Sequence, residues 1–173
     1  MKKYFFILIP FLMLFSSCLT GPSGKEKVIT AYMESGNMKY YIRPAKMILN
    51  DEKDTSSSVM ADFTYQMRKR DYVSDAYFNF TLHSKIDSFI SKAFFVLDSK
   101  ETIELFQLET LDRNLSMGYI RVSTILKQEK LKTVLEGLHN GEAVLRVVLD
   151  NGAAMEYIPS KDFKNRIQES FYK

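Results

Sequence analysis

Two stretches of this chain alternate strictly. In Val59–Met67 (VMADFTYQM) residues Val59, Ala61, Phe63, Tyr65 and Met67 share one side, while Asp62, Thr64 and Gln66 share the other. In Ala76–His83 (AYFNFTLH) residues Ala76, Phe78, Phe80 and Leu82 alternate with Tyr77, Asn79, Thr81 and His83. A period of two over this length is the mark of a half-buried antiparallel strand, with one face for a core and one for water. The charged link Arg68–Asp75 (RKRDYVSD) joins the two runs. A chain with this pattern is committed to a sheet that covers one of its faces.

Further strand signals surround these two. Val28–Glu34 and Met38–Arg43 flank Ser35-Gly36-Asn37, as in a hairpin with a glycine-containing turn. Pro44 is expected to end the second strand or to place it on an edge. Leu49–Ser58 is polar and reads as a surface loop. Phe89–Leu97, Thr102–Leu108 and Met117–Ser123 add three strands. Glu142–Leu149 and Ala153–Ile158 flank Asn151-Gly152, the strongest hairpin signal in the chain. With a two-residue turn there, Arg146 and Tyr157 would face one another.

The period changes twice. In Lys127–Leu138 the apolar residues Leu131, Val134, Leu135 and Leu138 form an i, i+3, i+4, i+7 stripe, which predicts an amphipathic helix closed by Asn140-Gly141. Pro159-Ser160 opens a second helix with Ser160 as N-cap and Asp162 in the first turn. Phe163, Ile167 and Phe171 form its narrow inner face. About nine strands and two late helices make an α+β fold rather than βαβ units. The expected architecture is a mainly antiparallel sheet, sandwich-like or a partial barrel, with both helices packed on it.

The first eighteen residues are of a different kind. Met1-Lys2-Lys3 is a positive head, and Tyr4–Phe15 (YFFILIPFLMLF) is an apolar run of a dozen residues. A membrane span needs about 20, whereas a run of this length suits the core of a secretory signal. Ser16 and Ser17 are small, and Cys18 is the only cysteine in the chain. Phe15-Ser16-Ser17-Cys18 resembles the lipobox of bacterial lipoprotein precursors, with Phe15 where that box usually carries Leu. The resemblance covers residues 1–18. It implies cleavage before Cys18, a diacylglyceryl group on its thiol and often a further acyl chain on its amine. Two or more chains are what stable anchoring needs. The expected organisation is a signal over residues 1–17, a lipidated cysteine and short tether over 18–25, and a single domain over 26–173. It places the protein on the exported side of a bacterial cell membrane or outer membrane. The tether residues Leu19–Lys25 reach at most roughly 25 Å, so the domain would sit close to the bilayer.

Composition narrows the function. The formal charge of +3 includes Lys2 and Lys3 of the signal, so the remaining chain is nearly balanced. Nucleic acid, which calls for a concentrated positive field, is not an expected partner. With no second cysteine, an exported domain must hold together by packing alone, and it is expected to be monomeric.

Chemistry-bearing motifs are sparse. The two histidines, His83 and His139, fall on the polar face of a strand and at a helix C-terminus. Neither has the company a metal site needs. Asn50-Asp51-Glu52-Lys53-Asp54 is acidic but lacks the spacing of a calcium loop. There is no G-x-S-x-G elbow, and Gly137, Gly141 and Gly152 read as a helix end and turns rather than a phosphate loop. Asp62, on the wet side of its strand, is the carboxylate candidate by orientation. Arg68-Lys69-Arg70 is the one dense basic run, suited to lipid headgroups, an anionic glycan or an acidic partner. Tyr40, Tyr41 and Tyr77 fall where some rings must face outward; tyrosine suits a wet binding surface, and it is equally a good strand residue.

The leading functional reading is a membrane-anchored envelope lipoprotein that binds or scaffolds an envelope protein or glycan, without catalysis and without a cofactor. The alternatives are a lipid or small-ligand carrier, which needs an apolar cavity, and a carboxylate-dependent envelope hydrolase, which needs two convergent acids.

Overall fold

The computed structural model describes residues 26–51, 57–84 and 88–173. The expected signal, Cys18 and the tether lie outside the described residues, as does most of the acidic 50–54 segment.

The α+β expectation holds, in its barrel form. Strands β1 (Val28–Tyr32), β2 (Met38–Leu49), β3 (Ser58–Arg68), β4 (Asp71–Tyr72), β5 (Ala76–His83), β6 (Ile90–Leu97), β7 (Thr102–Glu104), β8 (Phe106–Asn114) and β9 (Tyr119–Leu126) precede helix α1 (Gln128–Asn140). Then come β10 (Ala143–Leu149), β11 (Ala154–Pro159) and helix α2 (Lys161–Tyr172). The described strands form one 11-stranded sheet, and every pairing is antiparallel. Its main path runs β7-β6-β10-β11-β2-β3-β5-β9-β8. The two ends of that path are neighbours in sequence. β7 pairs with β6, and β8, one residue later, pairs with β9. The Leu105 amide between them still donates to Ala93 O of β6 at 3.1 Å. The sheet thereby comes back on itself as a nearly closed barrel.

The alternation read from the sequence faces as expected. Val59, Ala61, Phe63 and Tyr65 of β3 and Ala76, Phe78, Phe80 and Leu82 of β5 are buried. The core is built across the barrel as well as around it. β3 and β6 lie four strands apart along the path, yet the rings of Phe63 and Phe95 stack at 6.3 Å. Phe78 sits 5.1 Å from Phe95 and 4.6 Å from Phe63. Phe163 of α2 stacks on Phe63 at 6.3 Å. Aromatic rings from opposite walls and from a helix therefore meet at the centre.

α1 obeys its stripe in full, whereas α2 obeys its stripe only as far as Ile167, and the expected inward Phe171 is corrected to an exposed residue in the last turn. Leu131, Val134, Leu135 and Leu138 of α1 and Phe163 and Ile167 of α2 are buried. Gly141 caps α1 in the left-handed region (φ 87°), its amide bonded to Gly137 O. Gly137 itself lies inside α1, against the Cβ of Ala143. Ser160 Oγ accepts from the Phe163 amide at 3.3 Å, the expected N-cap. The start of α1 has no such local cap; Asp75, just before β5, accepts from the Gln128 amide and pairs with Lys127 Nζ, both at 2.9 Å. Neither described helix is long and apolar enough to cross a membrane.

Four further expectations need correction. Pro44 does not end its strand: β2 continues to Leu49, with its register shifted between Ile42 and Ala45. There β2 exchanges one edge partner, β1, for another, β11. The missing amide falls at the handover, and Arg166 of α2 donates to Arg43 O at 3.2 Å and Pro44 O at 2.9 Å. Second, Thr102–Leu108 is not one strand but β7 and the start of a longer β8. Third, the link after β3 contains the short β4, which folds straight back onto β3. Fourth, the Asn151-Gly152 loop has three residues, not two. Leu149 donates to Ala153 O and Gly152 donates to Leu149 O, so Leu145 faces Tyr157 and Arg146 faces Glu156, with which it forms an ion pair.

Candidate functional surface

Phe63, Phe78 and Phe95 fill the interior at their level of the barrel. The outer face of β1-β2-β3-β5-β9-β8 carries one row of residues in continuous register: Ile29, Tyr41, Thr64, Tyr77, Ile125 and Phe106. Tyr77 is 58 % exposed. Ile29, Ala31, Lys39, Tyr41 and Thr64 line an open cleft of about 340 Å³. A second open cleft of similar size lies where α1 meets the turn after β6, lined among others by Asp98, Ser99, Glu136 and Asn140.

Beside the aromatic row, Asp62 points outward from β3 and is nonetheless only 4 % exposed. Asn79, its partner in register on β5, donates to Oδ1 at 2.8 Å. Loss of water raises the pKa of Asp62, against the opposing pull of the Asn79 hydrogen bond and of Arg121. The same burial, together with the Asp62 charge, raises the Tyr41 phenol. Asp62 is the only buried carboxylate among the described residues. Its neighbours are an amide, a phenol and guanidinium groups rather than a second acid, so the two-carboxylate arrangement is not built around it. His83 is exposed on the same outer face, as expected. His139 contacts Lys164 O at 3.3 Å and meets the Phe171 ring edge-on. No group of three His, Cys, Asp or Glu is placed to hold a metal ion among the described residues.

Arg68, Lys69 and Arg70 stand at one pole of the barrel. Arg68 pairs with Asp71 in register, which leaves Lys69 and Arg70 as the two central residues of a hairpin turn. Both have positive φ, 50° and 76°. All three side chains are exposed and none forms an ion pair among the described residues. Tyr32, the last residue of β1, lies at the same pole through the register Tyr32↔Met38↔Met67↔Tyr72. It is 76 % exposed. Sequence reasoning found the basic run but neither its turn nor Tyr32. The signal was a tyrosine at the end of a strand, meaningful only once the pairing of β1 is known. Burial pushes the phenol of Tyr72, behind this pole, up to about 12. At the other pole Leu115 and Met117 are exposed in the β8–β9 loop, and Phe89 is exposed beneath the Arg113 guanidinium, 3.9 Å from its ring centre.

In comparisons with protein-family models, curated proteins and solved structures, the chain matches none of them.

Proposed function

We propose that this chain is a lipid-anchored lipoprotein of a bacterial envelope, whose barrel binds or scaffolds another envelope component through its outer surface. The observation that carries the binding mode is the contact of Phe63 with Phe95 across the barrel, which leaves that level of the interior to side chains rather than ligand. A carrier would need that space, so the filled centre speaks against the carrier reading. The lone Asp62 in an amide and guanidinium setting supports a non-catalytic surface.

The anchor rests on the N-terminal sequence: two lysines, a short apolar core, two serines and Cys18. The start of the barrel suits a tethered domain. Lys27 pairs with Asp162 of α2 at 2.9 Å, and Lys173 donates to Val28 O at 2.7 Å. The first described strand is thus clipped to the last helix beside the tether.

Growth with a palmitate analogue should label the wild-type protein and not Cys18→Ala, and only the wild type should sediment with membranes. Equal labelling of the two would refute the anchor. For the binding mode, crosslinkers placed at Tyr77 and at Lys39 should capture an envelope component, protein or glycan. Capture from neither position would refute a role for this face.

A further inference from the structure

We propose that the pole formed by Tyr32, Arg68, Lys69 and Arg70 is a membrane-contact surface that seats the barrel on anionic lipid headgroups. The inference deepens the anchored reading above and takes its tether argument from it.

Three observations converge. The first is charge. Arg68, Lys69 and Arg70 project from one turn, with Lys39 on the neighbouring strand, while the acids near this pole include Glu34, Asp71 and Glu136 of α1, the last paired with Lys132 at 3.9 Å. Asp75 is neutralised by Lys127. The local balance is positive although the domain as a whole is nearly neutral. The second is the side chain beside the cations. An exposed tyrosine next to lysine and arginine is the composition that sits well at the headgroup level, where one part of the ring is apolar and the hydroxyl is wet. The third is strain. A turn with two positive φ values is normally made by Asn-Gly or similar residues, and L residues with a Cβ are disfavoured there. This turn uses Lys69 and Arg70 instead. Strained backbone at exposed residues of one charge fits a turn kept for what it presents rather than for how it folds.

Geometry lets this pole reach the bilayer. The tether joins the barrel at Lys27 and Val28, halfway along β2, as the Val28↔Ile42 pairing shows. From Val28 to Tyr32 is about 14 Å along the strand, and from β1 to β3 about 10 Å across the sheet. The basic turn is therefore about 20 Å from the tether attachment, within the roughly 25 Å that seven residues can span. A lipid on Cys18 and the cations at the pole can act on one membrane at once. That is the two-signal arrangement in which a polybasic patch reinforces an acyl anchor.

The test uses the chain from Leu19 onward, which contains every core residue among those described, and so needs no lipid on Cys18. Failure of lipidation would leave its outcome standing. Flotation with vesicles containing about one-third phosphatidylglycerol should carry the protein at low salt, and vesicles of phosphatidylcholine alone should not. Near molar salt, where the screening length is about 3 Å, binding should disappear. The triple variant Arg68→Gln, Lys69→Gln, Arg70→Gln should lose about a hundredfold in partitioning, and Tyr32→Ser should lose less. Lys46→Gln with Lys92→Gln removes two exposed cations away from this pole and should bind as the wild type does. Thermal melts matching the wild type would show that each variant is folded. The proposal is overturned if the wild type ignores anionic vesicles, whatever protein or glycan the turn then proves to bind. It is also overturned if the folded triple variant still floats fully, or if the Lys46/Lys92 variant loses as much as the triple one.

Discussion

Two aspartates carry charge in opposite settings and should give stability opposite slopes with pH. Asp75 holds the start of α1 through Gln128 N and Lys127, and these hydrogen bonds lower its pKa below 3.8. Stability from a depressed carboxylate is complete above the ordinary value and drains as pH falls through the folded one. Asp75→Ala should cost about 1 kcal/mol at neutral pH, the usual worth of a helix N-cap, and the cost should shrink in acid. Asp62 is raised above 3.8 because it is desolvated. Here the favoured form is neutral, so its contribution is complete below 3.8 and is lost as pH rises through the folded pKa. Asp62→Asn, which keeps an oxygen for Asn79, should therefore gain on the wild type as pH rises. Urea melts of both variants at pH 3, 5 and 8 check the pair; parallel curves would disprove the assignment. Asp62 was legible as a residue on the wet side of a strand. Its burial was not, because that depends on Tyr41, Asn79 and other groups brought beside it by β2, β5 and β9. The cap from Asp75 was hidden for the same reason: it reaches a helix more than fifty residues away.

Among elements, those that follow one period were legible and those that break it were not. β5 occupies the residues the alternation marked, α1 follows its stripe, and α2 follows its own through Phe163 and Ile167 but not at Phe171, which is exposed. β8 is mostly exposed and shifts register between Phe106 and Glu109 and again between Thr110 and Asp112. Each bulge moves the following side chains to the other face, so no alternation survives for a reader of the sequence. Pro44 misled for a related reason, since its missing amide costs little where β2 changes partners. Turns give sharper tests. Gly152 has φ 86° and open space around its Cα, so Gly152→Val should cost about 1–3 kcal/mol through backbone strain alone. The matching gain is expected at the basic turn. Lys69→Asn with Arg70→Gly should stabilise the barrel by about 1–2 kcal/mol, because both positions already hold left-handed backbone. Denaturant midpoints measure both. A stable Gly152→Val would contradict the three-residue loop, and an unchanged Asn-Gly variant would contradict the strain.

At the scale of the whole molecule, the sequence specified a sheet with two helices on it and left open whether that sheet is a sandwich or a barrel. Closure depends on one residue, Leu105, where the chain leaves β6 for β9, and no local pattern marks such a handover. The consequence is a wall continuous enough for opposite strands to share one small centre. Phe95 is fully buried there, in contact with Phe63 and Phe78. Truncating a buried phenylalanine costs about 3–5 kcal/mol, from lost transfer energy and from the cavity left behind. Phe95→Ala should fall in that range, whereas Phe106→Ala, on the outer face, should cost less than about 1 kcal/mol. The first variant should also acquire something the wild type lacks, an apolar void able to take up a small hydrocarbon such as benzene. Calorimetry should then show a melting temperature that rises with benzene for Phe95→Ala and stays fixed for the wild type. If the wild type responded as strongly, the barrel would contain usable space, and the carrier reading would displace the surface-binding one.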